Sequence, residues 1–352
     1  MIHSKFWENK KVLITGHTGF KGSWLTIILN KLGSEIHGLS IDEGQLSLSR
    51  DIDLGKFCKS HIFDLRDKEG VKKKVANINP EIIIHLAAQS LVLKSYKDPY
   101  LTYSTNLMGL VNLYDSIRQS KNTKVILNVT SDKCYKNLES KSGYKENDIL
   151  GGSDPYSNSK ACAELISESY RESFFSQMGI ASITARAGNV IGGGDWAEDR
   201  LIPDIMRSIM NKQNLKIRYP NAIRPWQHVL EPLSGYLMLV ENAYKDPEKF
   251  SEAWNFGPEK ENIRTVKDII SEISKNIEFK KEIIFDSTKA LHETETLKLD
   301  ISKVKSQLNW KPRWGFEKTI RKTCDWYKTY ISNKNIEKIT EYQINEYFEE
   351  II

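Results

Sequence analysis

No apolar run in the 352 residues approaches the ~18 needed to cross a bilayer, and Met1 to Lys11 is polar. Neither a spanning helix nor a cleavable leader is expected, and cytoplasm is the expected compartment. Cysteine is scarce: Cys58, Cys134, Cys162 and Cys324 lack the paired spacing of a metal site and the density of a disulfide scaffold. They read as reduced structural thiols, and no metal is expected. Charge of one sign is lacking too, because 51 basic residues face 46 acidic ones for a net of +5, with the lysines dispersed. That balance suits an anionic small ligand and argues against a nucleic-acid partner. Neither internal repeats nor low-complexity linkers divide the chain.

What is present is an alternation of short apolar runs with helical stretches, the rhythm of an α/β doubly wound parallel sheet. Lys11 to Thr15 reads as the first strand. Gly16-His17-Thr18-Gly19-Phe20-Lys21-Gly22 follows and opens a helix over Ser23 to Leu32. Its three glycines suit a tight turn, close backbone approach to a diphosphate, and close helix packing, with the diphosphate on the helix N-terminus. Glu35 to Ser40 is the second strand, where a carboxylate for the adenosine ribose is expected about 20 residues on. Ser40 ends it instead, with Asp42 beyond, which leaves NAD and NADP both open.

His61 to Asp64 reads as a third strand whose acid either accepts from an adenine amino group or is simply solvated. Val71 to Asn77 reads as a helix. Glu81 to Gln89 is a fourth strand running into a turn where small residues let backbone approach a cofactor; His85 within it reads as core. Asp98-Pro99 opens one long helix over Tyr100 to Arg118, with Asn106 as a buried polar candidate.

Lys124 to Val129 is the fifth strand, which puts Ser131, Asp132 and Lys133 at its carboxyl end, where open α/β sheets bind ligands. Asp154-Pro155 starts a helix that carries Tyr156 and Lys160 four residues apart, on one face. Taken alone these two are also an ordinary helix pair. A phenol ionises near ~10, so lowering it by ~2 to 3 units needs roughly 3 to 4 kcal/mol, which a neighbouring ammonium and a cationic nicotinamide would supply. With Ser131 bonded to a substrate oxygen whose proton Tyr156 takes, the set suits oxidation of a secondary alcohol.

Ile180 to Arg186 is a sixth strand. Ala187 to Trp196 then breaks regular structure with four glycines, either as a linker or as a loop that wraps a ligand. In Arg224-Pro225-Trp226-Gln227-His228 the arginine suits bidentate phosphate contact. Helices are expected over Leu201 to Met210, Pro232 to Lys245, Thr265 to Ile277 and in the tail beyond Ile331. Trp254 to Gly257 reads as a strand and turn, and Glu293 to Asp300 as a strand or extended loop.

With the glycine triplet, Ser131 and the Tyr156/Lys160 pair in order, the chain resembles the extended short-chain dehydrogenase/reductase superfamily over most of residues 10 to 330. More narrowly, five blocks are similar to the CDP-glucose branch of the nucleotide-sugar 4,6-dehydratases: residues 16 to 24, His85-Leu86-Ala87-Ala88-Gln89, residues 130 to 135, residues 187 to 196, and residues 224 to 228. The resemblance implies a Rossmann domain over 1–187 plus about 224–257, and a smaller C-terminal nucleotide-sugar-binding domain over 188–223 and 258–352. It implies bound NAD, held by Gly16, Thr18, Gly19, Phe20, Gly22, Ser40, Asp64, Leu86, Ala87, Ala88, Asn106, Tyr156 and Lys160. The implied substrate is CDP-glucose, contacted by Gln89, Asn189, Arg200, Arg224 and Gln227.

Dehydration requires removal of a C5 proton and protonation of the departing C6 hydroxyl, and the residues beside Ser131 suit those roles. Lys133, desolvated and near two cations, would approach the ~7 to 8 of catalytic lysines and act as base; Asp132, kept protonated by burial, would be the acid. A sister 4,6-dehydratase or a 4-epimerase on the same scaffold is the alternative. A homodimer or homotetramer paired through the helices near Pro99 and Pro155 is implied, as is a role in making deoxysugars for surface polysaccharides.

Overall fold

The computed structural model describes residues 2–41, 47–138, 142–279, 281–286 and 298–349. Asp42 and most of the extended stretch expected from Glu293 lie outside them. Seven strands build the central sheet: β1 (Lys11–Thr15), β2 (Glu35–Ser40), β3 (Lys59–Ile62), β4 (Ile82–His85), β5 (Val125–Val129), β6 (Ala181–Ala187) and β7 (Ala253–Phe256). All neighbours run parallel, in the order β7-β6-β5-β4-β1-β2-β3. Chain order reverses on either side of β1, so the crevice of an open sheet falls between the carboxyl ends of β1 and β4.

Both faces of the sheet are covered, which is why β1, β4, β5 and β6 are buried at every position after Lys11 and are rich in Val and Ile. Val12 and Ile14 join one core, and Leu13 between them joins the other, as period-two alternation demands. The longer helices are α1 (Phe20–Lys31), α2 (Lys68–Ile78), α3 (Gly109–Ile117), α4 (Pro155–Tyr170), α5 (Leu201–Asn211), α6 (Leu230–Lys245), α7 (Val266–Asn276), α8 (Phe316–Ile331) and α9 (Ile336–Phe348). Those of α1 and α6 fill the first core with Trp24, Leu25, Leu233 and Leu237; α2 and α3 fill the second with Val71, Val75, Leu110 and Leu113.

The long helix expected from Tyr100 is interrupted. It begins at Pro99, capped by Asp98, which accepts from the Leu101 amide, and passes through a π-helical turn at Ser104–Met108 before α3. Asn106 sits in that turn and donates to the Gln89 carbonyl and to Ser159, while accepting from the Gln89 amide. A π-bulge suits a residue whose side chain must serve a neighbouring segment.

After β6 the chain gathers over the carboxyl ends of the strands. Val190–Ile191 pairs with Gln227–His228, and Ile223–Arg224 with Arg264–Thr265. The glycine-rich loop before α5 is clamped from the C-terminal side, where a Cβ at Gly193 would lie 1.9 Å from the Trp326 ring. Trp24 donates to the Gly193 carbonyl and Tyr327 to that of Asp195. The expected tail helix is α9, whose Tyr347 hydroxyl donates to the buried Glu231 of α6.

Candidate active site

The loop from β1 to α1 is built for backbone approach. Gly16 has φ +75°, and a Cβ there would stand 2.7 Å from the Ala87 nitrogen; one at Gly22 would stand 2.1 Å from the Gly16 carbonyl oxygen. Only glycine fits either place. Thr18 Oγ1 beside them is buried with no hydrogen-bond partner among the described residues. Leu86 and Ala87 face this loop from the end of β4, where the Ala87 amide donates to Thr15 Oγ1 and His85 bonds the same hydroxyl. His85 is a satisfied core residue, as expected.

At the β2 end Ser40 bonds His17 Nδ1 at 3.0 Å and accepts from the Thr18 amide. Burial drives His17 down to about 4, so it is a neutral ring. A hydroxyl and an imidazole therefore stand where a carboxylate was anticipated. Asp64 lies just beyond β3 and is bound by Arg66, whose guanidinium holds the carboxyl below its ordinary range.

The reactive groups converge at the end of β5. Ser131, Asp132, Tyr156 and Lys160 are all buried. Asp154 caps α4 by accepting from the Ser157 amide, which sets the phase that turns Tyr156 and Lys160 inward. Ser131 acts on the Tyr156 phenol and donates to Asp132 Oδ1 at 3.0 Å. Lys160 Nζ donates to the Val129 carbonyl at 3.2 Å.

The Tyr156 phenol departs from expectation. Burial pushes it up to about 12, against the lowering effect of Ser131 and Arg200, so the chain's own residues do not ready it as a base. Lys160 is lowered to about 8 by burial, with Glu164 opposing. Burial likewise raises Asp132, although Lys133, Arg224 and Lys21 pull the other way, and its Oδ2 is buried with no hydrogen-bond partner among the described residues. Half-buried Lys133 offers its backbone amide to Ser131; among the described residues its side chain makes no hydrogen bond or ion pair.

The expected substrate residues lie around this centre with different degrees of engagement. Buried Arg224 acts electrostatically on Asp132. Arg200 bridges Asp195 Oδ2 and Ser90 Oγ, both at 3.1 Å. Asn189 accepts the Gln227 amide through its carbonyl, and Gln227 donates to the Phe256 carbonyl while its Oε1 is buried and unpartnered among the described residues. The Gln89 amide is already used within the protein, bonding Leu91 and Thr102.

Two features escaped the sequence reading. Lys21, hidden inside the glycine motif, reaches the reactive cluster: burial, Arg200 and Lys160 lower it to about 7, against Asp132. Glu164 lies one turn beyond Lys160, and the same four-residue spacing that marks Tyr156 and Lys160 could have flagged it.

A serine, tyrosine and lysine joined at the switch-point crevice of a doubly wound sheet define a short-chain dehydrogenase/reductase of the extended kind. Among solved structures the chain is similar to the Thermotoga maritima UDP-glucose 4-epimerase with UDP-glucose, with TM-score 0.80 and 19% identity over 91% of this chain and 99% of that one. It is also similar to the Bacillus anthracis dTDP-glucose 4,6-dehydratase in complex with NAD, with TM-score 0.75 and 21% identity over 91% and 97%. At such identities these two speak for the fold. The chain belongs to the family described as GDP-mannose 4,6 dehydratase, whose model matches residues 13–323. It is 46% identical to the CDP-glucose 4,6-dehydratase of Salmonella typhimurium, over 99% of this chain and 98% of that protein.

Proposed function

We propose that this chain is an NAD-dependent CDP-glucose 4,6-dehydratase, which converts CDP-D-glucose to CDP-4-dehydro-6-deoxy-D-glucose and water. The observation that carries the reading is Asp132: a buried carboxyl raised toward its acid form, bonded by Ser131 through one oxygen and with the other oxygen unpartnered among the described residues. A 4-epimerase only moves hydride at C4 and has no use for an acid there.

The cradle fits a dinucleotide: glycine at 16 and 22 lets the turn pack backbone to backbone against Ala87 and against itself, and Thr18 Oγ1 in that turn is buried with no hydrogen-bond partner among the described residues. Gly16, Thr18, Gly19, Phe20 and Gly22 would hold the diphosphate, Ser40 the adenosine ribose, Asp64 the adenine, and Leu86, Ala87, Ala88 and Asn106 the wall beside the nicotinamide. NAD, when bound, would supply the redox chemistry of hydride removal at C4 and return at C6. The Lys160 ammonium, beside a cationic nicotinamide, would give the positive charge that Tyr156 needs to lose its proton.

Tyr156 takes the proton of the C4 hydroxyl, whose oxygen Ser131 hydrogen-bonds. The ketone at C4 acidifies C5, where Lys133 removes the proton while Asp132 protonates the departing C6 hydroxyl. Asp132 then stands as a carboxylate beside Lys133, and a proton returns to C5. Asn189, Arg200, Arg224 and Gln227 would hold the nucleotide sugar in this reading, with Gln89, whose amide is bonded to Leu91 and Thr102, shaping the wall beside it. Residues 1–187 with about 224–257 would form the NAD-binding unit, and 188–223 with 258–352 the nucleotide-sugar unit.

Among the described residues no helix is long and apolar enough to cross a membrane, and a cytoplasmic enzyme is the matching proposal. Pairing into a homodimer or homotetramer through the helices near Pro99 and Pro155 is supported by exposed Tyr100, Met108 and Leu165. The function is tested by incubation with CDP-glucose, dTDP-glucose and UDP-glucose, followed by detection of the 4-keto-6-deoxy product in alkali. Strong preference for CDP-glucose is expected; equal turnover of all three would overturn the substrate assignment.

A further inference from the structure

Beneath the reactive cluster lies a second buried charge group that the proposed cycle does not use. Glu164 on α4 accepts from Thr184 Oγ1 at 2.6 Å, from Arg186 Nη2 at 2.9 Å, and from Thr130 Oγ1. Thr130 precedes Ser131, and Thr184 and Arg186 lie on β6. Arg186 Nη1 donates in turn to the Tyr135 hydroxyl at 2.6 Å and to the Glu146 carbonyl at 2.8 Å. The Tyr135 hydroxyl reaches Asn255 on β7. Both ends of the stretch from Thr130 to Tyr135 are thus tied to this ion pair, whose side chains are 3 to 4% exposed.

We infer that Glu164 is a positioning residue of this reaction: held as a carboxylate by Arg186, Thr130 and Thr184, it is the fixed negative charge that keeps Lys160 an ammonium one turn from Tyr156. This rests on the reading of Tyr156 and Lys160 given above. The groups around Lys160 support it. Within the described residues the negative groups acting on Lys160 are Glu164 on its own helix and Cys134 after β5. Burial holds the Cys134 thiol well above its usual range, so it stays neutral. His85 on β4 is driven neutral by burial, and Lys21 at the start of α1 repels Lys160 whenever it is charged.

Burial alone would raise Glu164; the charge and hydrogen bond of Arg186 and the hydroxyls of Thr130 and Thr184 outweigh it, leaving the carboxyl below its ordinary range. Tyr114 on α3 also faces Glu164 and is raised to about 12, chiefly by burial, so it adds no charge near neutrality. Remove Glu164 and burial acts on Lys160 without opposition.

The test is the pH profile of CDP-glucose turnover, with the pH dependence of NAD affinity as a second readout. In Glu164→Gln the alkaline limb should move down by about one pH unit, the size of effect an opposite charge at close range produces. Arg186→Gln, which frees Glu164 to take a proton, should move it in the same direction. The double variant should move it no further than Glu164→Gln does. Glu164→Asp should bring the limb back.

If the uncharged variants fail to fold, Thr184→Val removes one hydrogen bond to Glu164 and keeps both charges, and should give a smaller shift of the same sign. A uniform fall in rate at every pH, with the limb unmoved, would overturn the inference. If wild type does not turn over CDP-glucose, the parent reading fails, and the NAD-affinity profile still decides whether Glu164 sets the charge of Lys160.

Discussion

Two carboxyls near the β5 terminus are buried to the same depth and shifted in opposite directions. Asp132 on the cleft side and Glu164 in the floor are each 4% exposed, and desolvation favours the acid form of both. Glu164 nonetheless lies below its ordinary range, because two hydroxyls and a guanidinium bond its oxygens. Asp132 lies above its own, with one hydrogen bond from Ser131 and an oxygen that bonds nothing among the described residues. Lys133, Arg224 and Lys21 act on Asp132 only through space and do not reverse it. Hydrogen-bonded partners, rather than depth, decide whether a buried carboxyl serves as an acid or as a counter-ion.

The comparison breaks most readily at Asp132. Asp132→Asn keeps the shape and removes the proton, so dehydration should fall by about 10² to 10⁴ while transient NADH absorbance from C4 oxidation survives. Product formation at the wild-type rate would remove Asp132 from the chemistry. Lys133→Ala should give the same separation of the two steps, and unimpaired product would exclude Lys133 as base.

On the floor side the expected effect is on stability. Glu164→Ala leaves the Arg186 guanidinium buried against Thr184 and Tyr135, and breaking a buried pair in this way costs about 3 to 5 kcal/mol. Urea unfolding measures it. A loss below about 1 kcal/mol would place the pair among weak surface contacts and erase the contrast with Asp132.

The smallest effect sharpens the sign. Asp132 binds its proton more tightly folded than unfolded, so its contribution is complete below its unfolded value near pH ~4 and is lost as pH rises through the folded value, at about 1.4 kcal/mol per pKa unit. Glu164 runs the other way: its contribution is present above its unfolded value and is lost as acid titrates the folded carboxyl. Thermal midpoints of Asp132→Asn and wild type should therefore diverge in favour of the variant as pH rises above ~4. A gap that narrows over that range would contradict the raised state of Asp132.

Much of the framework was legible in the residues. β1 and β2 fall where their apolar runs and flanking turns placed them, and the glycine loop, the Asp154 cap and the inward phase of Tyr156 and Lys160 follow from spacing along one segment. The π-turn at Asn106 was not legible, because it answers to Gln89 and Ser159 on other segments. Nor was the direction of the Tyr156 phenol, which depends on how completely the fold encloses it.

Local chemistry along the chain was enough to specify strands, caps, the glycine loop and which polar side chains would gather at the end of β5, since periodicity and backbone preference act over a few neighbouring residues. Which carboxyl would be raised and which lowered, that Lys21 would join the cluster at Asp132, and that Arg186 would close the floor under Lys160 were decided only when β5, β6, α1 and α4 met. Desolvation and ion pairing depend on what surrounds a group in three dimensions, and residues 22 apart in sequence carry no periodic sign that they will form a pair.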